Sequence, residues 1–215
     1  MNAPDMHLAT ILAGLAAGET VCQQGGGEGV LGAIEALGAR VRQHKDGATT
    51  ITGVGNGCLL QPLTPVSLDA SGEALLVAGL VAPYDMATRV VCTSGFDSDR
   101  VATLLDALAV MGIQAEAEGR DAIVFAGQAV ANPAVHDAAG WGDDLVAAIT
   151  FTALGMPGVT RIRHLPRDPA ALVETFSRFG ARIDVTAADG GWSLAVTGQT
   201  DMRAPADAGT KEDRA

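Results

Sequence analysis

One short pattern occurs three times in this chain, and it limits the possible folds more than any other feature. An apolar helical run ends at a single glycine, and a short alternating segment follows, at 36–41 (ALGARV), 109–115 (AVMGIQA) and 178–183 (RFGARI). Glycine readily adopts the left-handed conformation that ends many helices, so each copy predicts a helix followed by a strand. The copies are spaced by roughly 70 residues, which indicates an internal repeat.

The flanking sequence extends this repeat in both directions. A second predicted strand follows each copy, at 50–53, 123–127 and 194–198. An apolar helix with its own strand precedes each copy, at 8–17 and 19–22, 74–80 and 88–92, and 145–154 and 159–163. The predicted unit is therefore helix, strand, helix, strand, strand. Helices that alternate with strands and have one richly apolar face predict an α/β fold.

Composition sets the kind of core and the kind of partner. Of the 215 residues 48% are hydrophobic but only 4% are aromatic, so alanine, valine, leucine and isoleucine build the core. The formal charge of −11 disfavours nucleic acid and other polyanions as partners, because the summed field repels phosphates. No apolar run approaches the ~20 residues that cross a bilayer, and no secretory signal is evident. We expect a cytoplasmic protein that does not contact membranes.

Reactive side chains form no recognisable catalytic or metal motif. Cys22, Cys58 and Cys92 are far apart and lack the close spacing of a zinc site, and the four histidines are scattered. We therefore predict no metal and no cofactor. The carboxylates of Asp143 and Asp144, with Asp137, could form an acid/base pair, but acids also favour the positive end of a helix dipole, here before Leu145. The second interpretation is preferred.

The pattern divides the chain into three repeats and a tail. The predicted repeats cover about 1–57, 58–130 and 131–199, and together they form one domain. Residues 200–215 lose the apolar periodicity and mix charges, so they are predicted to be disordered.

Four segments carry a resemblance to known proteins: 14–20 (GLAAGET), 53–57 (GVGNG), 79–81 (GLV) followed by 84–85 (YD), and 157–160 (PGVT). The first, together with the threefold unit, resembles the enolpyruvyl transferases, and most closely the 5-enolpyruvylshikimate-3-phosphate (EPSP) synthases. The other three are similar to the bacterial glyphosate-tolerant subgroup in particular. The resemblance extends from about Met1 to Gly198.

Members of that family have two similar domains, each of three βαβαββ units, and an active site in the cleft between them. The resemblance implies that this chain is a single domain of that kind. Its three units would surround a pseudo-threefold axis, with helices inside and sheets outside.

The resemblance also implies site residues, and most of the expected cations are missing. The family's motif Asp-Lys-Ser-x-Ser-His-Arg falls on 2–8, where His7 remains while Ala3 and Leu8 replace the Lys and the Arg. An arginine that contacts phosphoenolpyruvate is replaced by Leu75, in the segment that contains Ser71.

Three further segments of the family also have counterparts in this chain. A Lys-Arg pair falls on Ser98 and Asp99, with Arg100 one step along, and the segment that holds the shikimate phosphate falls on 142–146. A Thr-Arg-Asp motif is matched at Arg167. The candidate remnants of a substrate site are His7, Ser71, Arg100, Asp144 and Arg167.

Two functions follow as hypotheses. Lys and Arg clamps hold the two anionic substrates of this family, and their replacement favours a non-catalytic binding or regulatory relative. The alternative is a 3-phosphoshikimate 1-carboxyvinyltransferase, which moves enolpyruvyl from phosphoenolpyruvate to shikimate 3-phosphate, completed by another chain. The apolar residues Met6, Phe96 and Trp141 are candidates for an interface across the cleft face, with a second copy or another protein.

Overall fold

The order helix, strand, helix, strand, strand occurs three times along the chain, and a short extra strand precedes the second and the third occurrence. The computed structural model describes residues 3–23, 26–127, 131–188 and 190–206. The first unit contains α1 (Ala3–Leu15), β1 (Gly18–Cys22), α2 (Glu28–Ala36), β2 (Arg40–Gln43) and β3 (Thr49–Gly53). The second contains β4 (Val66–Leu68), α3 (Ser71–Val81), β5 (Ala87–Cys92), α4 (Ser98–Val110), β6 (Ala115–Glu118) and β7 (Ala122–Ala126). The third contains β8 (Val135–Asp137), α5 (Asp143–Gly155), β9 (Val159–Leu165), α6 (Ala170–Arg178), β10 (Arg182–Ala188) and β11 (Gly191–Thr197).

Each unit forms its own sheet. The strand orders are β1-β3-β2, β4-β5-β7-β6 and β10-β11-β9-β8. The short strands β4 and β8 run parallel to β5 and β9, and all other pairings are antiparallel. Burial alternates along β5 and β9, so these sheets have one face on the core and one in solvent. The α/β class is confirmed, while the pseudo-threefold axis stays a prediction.

The three repeated glycines end their helices in the same way. Gly38, Gly112 and Gly180 all have positive φ, at 106°, 81° and 88°. The next residue's amide donates back to the helix each time, from Ala39 to the Ile34 carbonyl at 3.0 Å in the first unit. The equivalent bonds join Ile113 to Leu108 and Ala181 to Phe176. This is the Schellman arrangement, which satisfies carbonyls that have no partner within the helix and turns the chain into a strand.

Helices α3 and α5 form the centre of the core. Residues 74–81 of α3 and 145–154 of α5 are all buried, as expected for helices surrounded by other elements. The two backbones meet at Gly79, where a Cβ atom would lie 2.2 Å from the carbonyl oxygen of Ala148. The Thr152 hydroxyl donates to the Gly79 carbonyl at 2.9 Å. Small side chains permit this close contact, which accounts for the alanine-rich, aromatic-poor composition.

The side chain of Asn56 binds the carboxyl end of α5, and its Oδ1 accepts from the hydroxyl of Tyr84, which follows α3, at 3.4 Å. Nδ2 of Asn56, which follows β3, donates to the Leu154 carbonyl at 2.9 Å and to the Thr200 carbonyl at 3.2 Å. The Tyr84 hydroxyl accepts from the Gly57 amide at 3.2 Å, and burial raises the pKa of Tyr84. Asn56, Tyr84 and Leu154 come from the first, second and third unit, so the network joins the repeats.

The prediction of a disordered segment from residue 200 onward is wrong for residues 200–206. Met202 is only 1% exposed, and Arg203 forms a parallel bridge with Ala17, just before β1. The Arg203 amide also donates to the Phe179 carbonyl at 3.0 Å. A single apolar side chain with backbone pairing holds this segment, and neither leaves a periodic signal in the sequence. Residues 207–215 lie outside the described residues.

Candidate functional site

The starts of five helices meet around one cavity of about 700 Å³. His7 of α1, Glu73 of α3, Arg100 of α4, Asp144 of α5 and Ala171 of α6 all line it. Helix starts have free amides and a partial positive charge, so this end of the domain attracts negatively charged groups. We call this space the cleft cavity, because residues that the family resemblance assigns to the substrate site line it.

The protein supplies those negative groups itself. Asp143 and Asp144 are in the first turn of α5, and Glu73 is in the first turn of α3. Asp97 precedes α4, and its carboxylate accepts from the amides of Asp99 at 3.0 Å and Arg100 at 3.3 Å. Such carboxylates stabilise helix starts by about 0.3–1 kcal/mol each. The acids at 143–144 therefore begin a helix, as the preferred interpretation predicted.

Each positively charged group of the cleft cavity has an acidic partner. Nη1 of Arg100 donates to Oδ2 of Asp144 at 2.5 Å, and Nη1 of Arg167 donates to Oδ2 of Asp143 at 2.8 Å. Nδ1 of His7 lies 2.9 Å from Oε1 of Glu73. The lining residues include two arginines but four acids (Glu73, Asp143, Asp144 and Asp168), a formal excess of two negative charges when His7 is neutral.

The pairs differ in burial. The side chains of His7 and Glu73 are 21% and 14% exposed, and Asp144 is 19% exposed. Arg167 and Asp143 are 67% and 73% exposed, so solvent screens their attraction strongly. Each of the other two pairs has at least one largely buried member, so solvent screens its attraction less.

The remaining wall is apolar. Leu76, Val146 and Leu165 line it together with the indole of Trp141. The Trp141 ring lies 5.8 Å from the ring of His136, which is buried on β8. Burial lowers the pKa of His136, and its Nε2 has no hydrogen-bond partner among the described residues. A site with an apolar wall and a few charged groups is typical of small-molecule binding.

Four of the five predicted site residues line the cleft cavity, namely His7, Arg100, Asp144 and Arg167. Ser71 does not line it, because its hydroxyl is buried at the start of α3, without a partner among the described residues. The candidate site residues did not include Glu73, and its pairing with His7 was not predicted. An acid in the first turn of a predicted helix was the available signal.

The three interface candidates have different surroundings. Trp141 lines the cleft cavity, whereas Phe96 lines a smaller groove between α4 and the β6–β7 hairpin. Met6 is half-buried, and its carbonyl accepts from the Thr10 hydroxyl at 2.8 Å. Of the three, Trp141 lines the cleft cavity, and the role of all three in association stays a prediction.

Among the described residues, no three histidine, cysteine, aspartate or glutamate side chains form a group that could hold a metal ion. None of the helices in the described ranges is both long and apolar enough to cross a membrane.

Comparison with known proteins identifies relatives of this chain. No protein-family model matches it. The 3-phosphoshikimate 1-carboxyvinyltransferases of Brucella canis and a Chelativorans species are each 33% identical to it, over 201 and 205 residues. These alignments cover 90% and 92% of this chain but only 44% and 46% of the relatives. The chain thus spans about half the length of the curated relatives that it matches.

Solved structures show the same fold. An EPSP synthase from Acinetobacter baumannii superposes with a TM-score of 0.71 at 20% identity, over 94% of this chain and 46% of that one. The enolpyruvyl transferase NikO from Streptomyces tendae gives 0.66 at 14% identity, over 94% and 48%. The fold is thus that of an enolpyruvyl transferase. With the sequence relatives, it shows that the chain belongs to the EPSP synthase-like family.

Proposed function

We propose that this chain is a ligand-binding member of its family that does not itself transfer an enolpyruvyl group. One observation carries the proposal. Both arginines of the cleft cavity are already paired with aspartates of α5, Arg100 with Asp144 and Arg167 with Asp143. An anionic substrate would have to displace a carboxylate from each arginine before it could bind there.

Electrostatics makes that displacement unfavourable. A carboxylate about 4 Å from a phosphate charge repels it by ~4 kcal/mol at an effective dielectric of 20, roughly a thousandfold in affinity. The positions where the family resemblance places further cations hold Ala3, Leu8 and Leu75, which cannot offset that repulsion. Enolpyruvyl transfer joins two anions and depends on such clamps.

The direct test is to mix the purified chain with shikimate 3-phosphate and phosphoenolpyruvate and to measure phosphate release. We expect no turnover above background, and no calorimetric binding of shikimate 3-phosphate below about 1 mM. The double variant Asp143→Asn, Asp144→Asn frees both arginines and should bind shikimate 3-phosphate more tightly than the wild type. Turnover by the wild-type chain alone would refute the proposal.

A second candidate is half of a 3-phosphoshikimate 1-carboxyvinyltransferase, completed by another polypeptide. The 33% identity over 90% of this chain and 44% of the Brucella canis enzyme favours it. Co-expression with the unmatched half of that enzyme tests the idea, since phosphate release should appear only with both halves present. Replacing Arg100 and Arg167 by glutamine should then abolish the activity, whereas Arg89→Gln, whose pair with Glu118 lies outside the cleft cavity, should not.

Association across the cleft face is a separate part of the proposal. Trp141 is the apolar lining residue that would contact a second copy or another chain. Light scattering of the wild type and of Trp141→Asp compares their masses. A folded variant that associates as strongly as the wild type would exclude this face.

A further inference from the structure

The cleft cavity carries charges of both signs within one ion pair, next to an apolar wall. Arg100 projects from the first turn of α4, and Asp144 projects from the first turn of α5. Their side chains are 47% and 19% exposed, so the pair remains open to a ligand. The volume of about 700 Å³ falls within the range of small-molecule sites, about 300–1,000 Å³.

The pair discriminates among ligands by charge. A ligand with only an anionic group can bind Arg100, but it leaves Asp144 with only the Leu145 amide as a partner, beside the new negative charge. A ligand with only a cationic group takes Asp144 from Arg100, which then keeps only a longer contact of 3.8 Å with Asp97. In a partly desolvated site, a charge that loses its partner is costly.

A ligand that carries both signs avoids that cost. Its anionic group replaces Asp144 as the partner of Arg100, and its cationic group replaces Arg100 as the partner of Asp144. Nη1 of Arg100 and Oδ2 of Asp144 lie 2.5 Å apart. The anionic and cationic groups of the ligand must therefore also lie close together, so that each reaches its protein partner. The ammonium and carboxylate groups of a free α-amino acid have this arrangement.

The apolar wall specifies the rest of the ligand. Leu76, Val146 and Trp141 line the same cavity as the charged pair. An aliphatic or aromatic side chain would bury its surface there, at a gain of about 25 cal/mol per Å² of apolar area. A small polar zwitterion would lack this contribution.

We propose that the cleft cavity binds a free hydrophobic α-amino acid, with its carboxylate on Arg100 and its ammonium group on Asp144. This inference rests on the proposed function, because it takes the cavity as the binding site of a protein that does not transfer enolpyruvyl. It makes the acids of the cavity part of ligand recognition rather than only an obstacle to phosphate.

Two matched sets of compounds test the inference by calorimetry at neutral pH. The first is phenylalanine, 3-phenylpropionate without the ammonium group, and 2-phenylethylamine without the carboxylate. The second is leucine, 4-methylpentanoate and 3-methylbutylamine. At least one amino acid should bind at least about tenfold more tightly than both of its own fragments. Equal or tighter binding of a fragment in both sets, or no binding of any compound at about 10 mM, would overturn the inference.

Variants then assign the groups. Asp144→Asn should abolish the advantage of the amino acid over the carboxylate fragment, and Arg100→Gln should abolish its advantage over the amine. Arg89→Gln is the matched control, because its ion pair with Glu118 lies outside the cavity, and it should leave the affinity unchanged. The comparison of compounds on the wild type does not depend on these variants.

Failure of this inference and failure of the proposed function are distinguishable. Phosphate release from shikimate 3-phosphate and phosphoenolpyruvate would refute the proposed function, whatever the amino acids do. Absence of amino-acid binding without phosphate release would refute only the present inference.

Discussion

The two ends of the central helices are built on different principles. At the carboxyl end, Asn56 donates to the backbone carbonyls of Leu154 and Thr200, and the Gly57 amide donates to Tyr84. At the amino end, the side chains of Arg100 and Arg167 bind the side chains of Asp144 and Asp143. One end joins side chains to backbone with uncharged groups, while the other joins charged side chains to each other.

The difference separates what holds the fold from what is free to bind. Backbone carbonyls exist whatever the sequence, so a side chain that satisfies them is tied to the geometry of the fold. Ion pairs between exposed side chains contribute little to stability, with a median of about 0–1 kcal/mol. We therefore expect substitutions toward the carboxyl end to change stability, and those at the cleft cavity to change ligand binding.

The largest effect is expected at the contact between α3 and α5. Gly79→Ala places a Cβ atom 2.2 Å from the Ala148 carbonyl oxygen, so two central helices must separate. Overpacking of this kind typically costs about 1–3 kcal/mol and sometimes more, and here the obstacle is backbone. We expect a loss at or above the upper value in urea denaturation.

Gly32→Ala is the matched control for that substitution. Gly32 lies in α2, is exposed, and has no atom within 4 Å of the added Cβ. The alanine should stabilise the helix by about 0.5–1 kcal/mol. Equal effects of the two substitutions would show that α3 and α5 do not meet at Gly79.

The next effect is expected where residues 200–206 dock. Met202→Ala removes a side chain that is 1% exposed, and such truncations cost about 2–5 kcal/mol. Leu63→Ala is the control, since Leu63 is fully exposed and should change the free energy of unfolding by less than about 0.5 kcal/mol. If both truncations prove neutral, the segment around Met202 does not pack against the core.

Sequence alone predicted most of the fold, because the fold depends on features that recur. The helix ends at Gly38, Gly112 and Gly180 each need the same conformation, so the same residue appears three times. The short strands β4 and β8 were not predicted, since three residues are too few to show a period of two. Met202 was missed for a similar reason, because one buried side chain forms no pattern.

The site was less predictable than the fold. Resemblance to the family located His7, Arg100, Asp144 and Arg167 in one region, and the structure places them around one cavity. It did not predict which acid would pair with which base. The pairing of His7 with Glu73 depends on how α1 and α3 are positioned, which no local sequence pattern encodes.

A smaller effect is expected from His136, which lies beside the cleft cavity. Burial lowers the pKa of His136 from its usual value of 6.5. At a pH below 6.5, the histidine therefore binds a proton less readily in the native state than in the unfolded chain. Stability should therefore fall as the pH drops through and below that value. His136→Phe removes this contribution. Urea denaturation at about pH 7.5 and about pH 5 should show a smaller loss in the variant than in the wild type.

Other acid-titrating groups remain in both proteins, so only the difference between them reports on His136. The nearest is Asp137, whose pKa is lowered by a hydrogen bond from the Ala139 amide and by His164. Identical pH dependence in the wild type and His136→Phe would show that the native His136 binds its proton as readily as the unfolded chain does.

The smallest effect on stability is expected at the most exposed ion pair of the cleft cavity. Arg167 and Asp143 are 67% and 73% exposed, so solvent screens the attraction between them. Asp143→Asn, Arg167→Gln and the double variant should each change the free energy of unfolding by no more than about 0.5 kcal/mol, with a coupling of similar size. Asp143 also lies in the first turn of α5, so its loss should cost slightly more than that of Arg167.

A double-mutant cycle in urea measures both the single effects and the coupling. A coupling above about 1 kcal/mol would mean that this pair stabilises the fold. The proposed difference between the amino and carboxyl ends of the central helices would then be wrong.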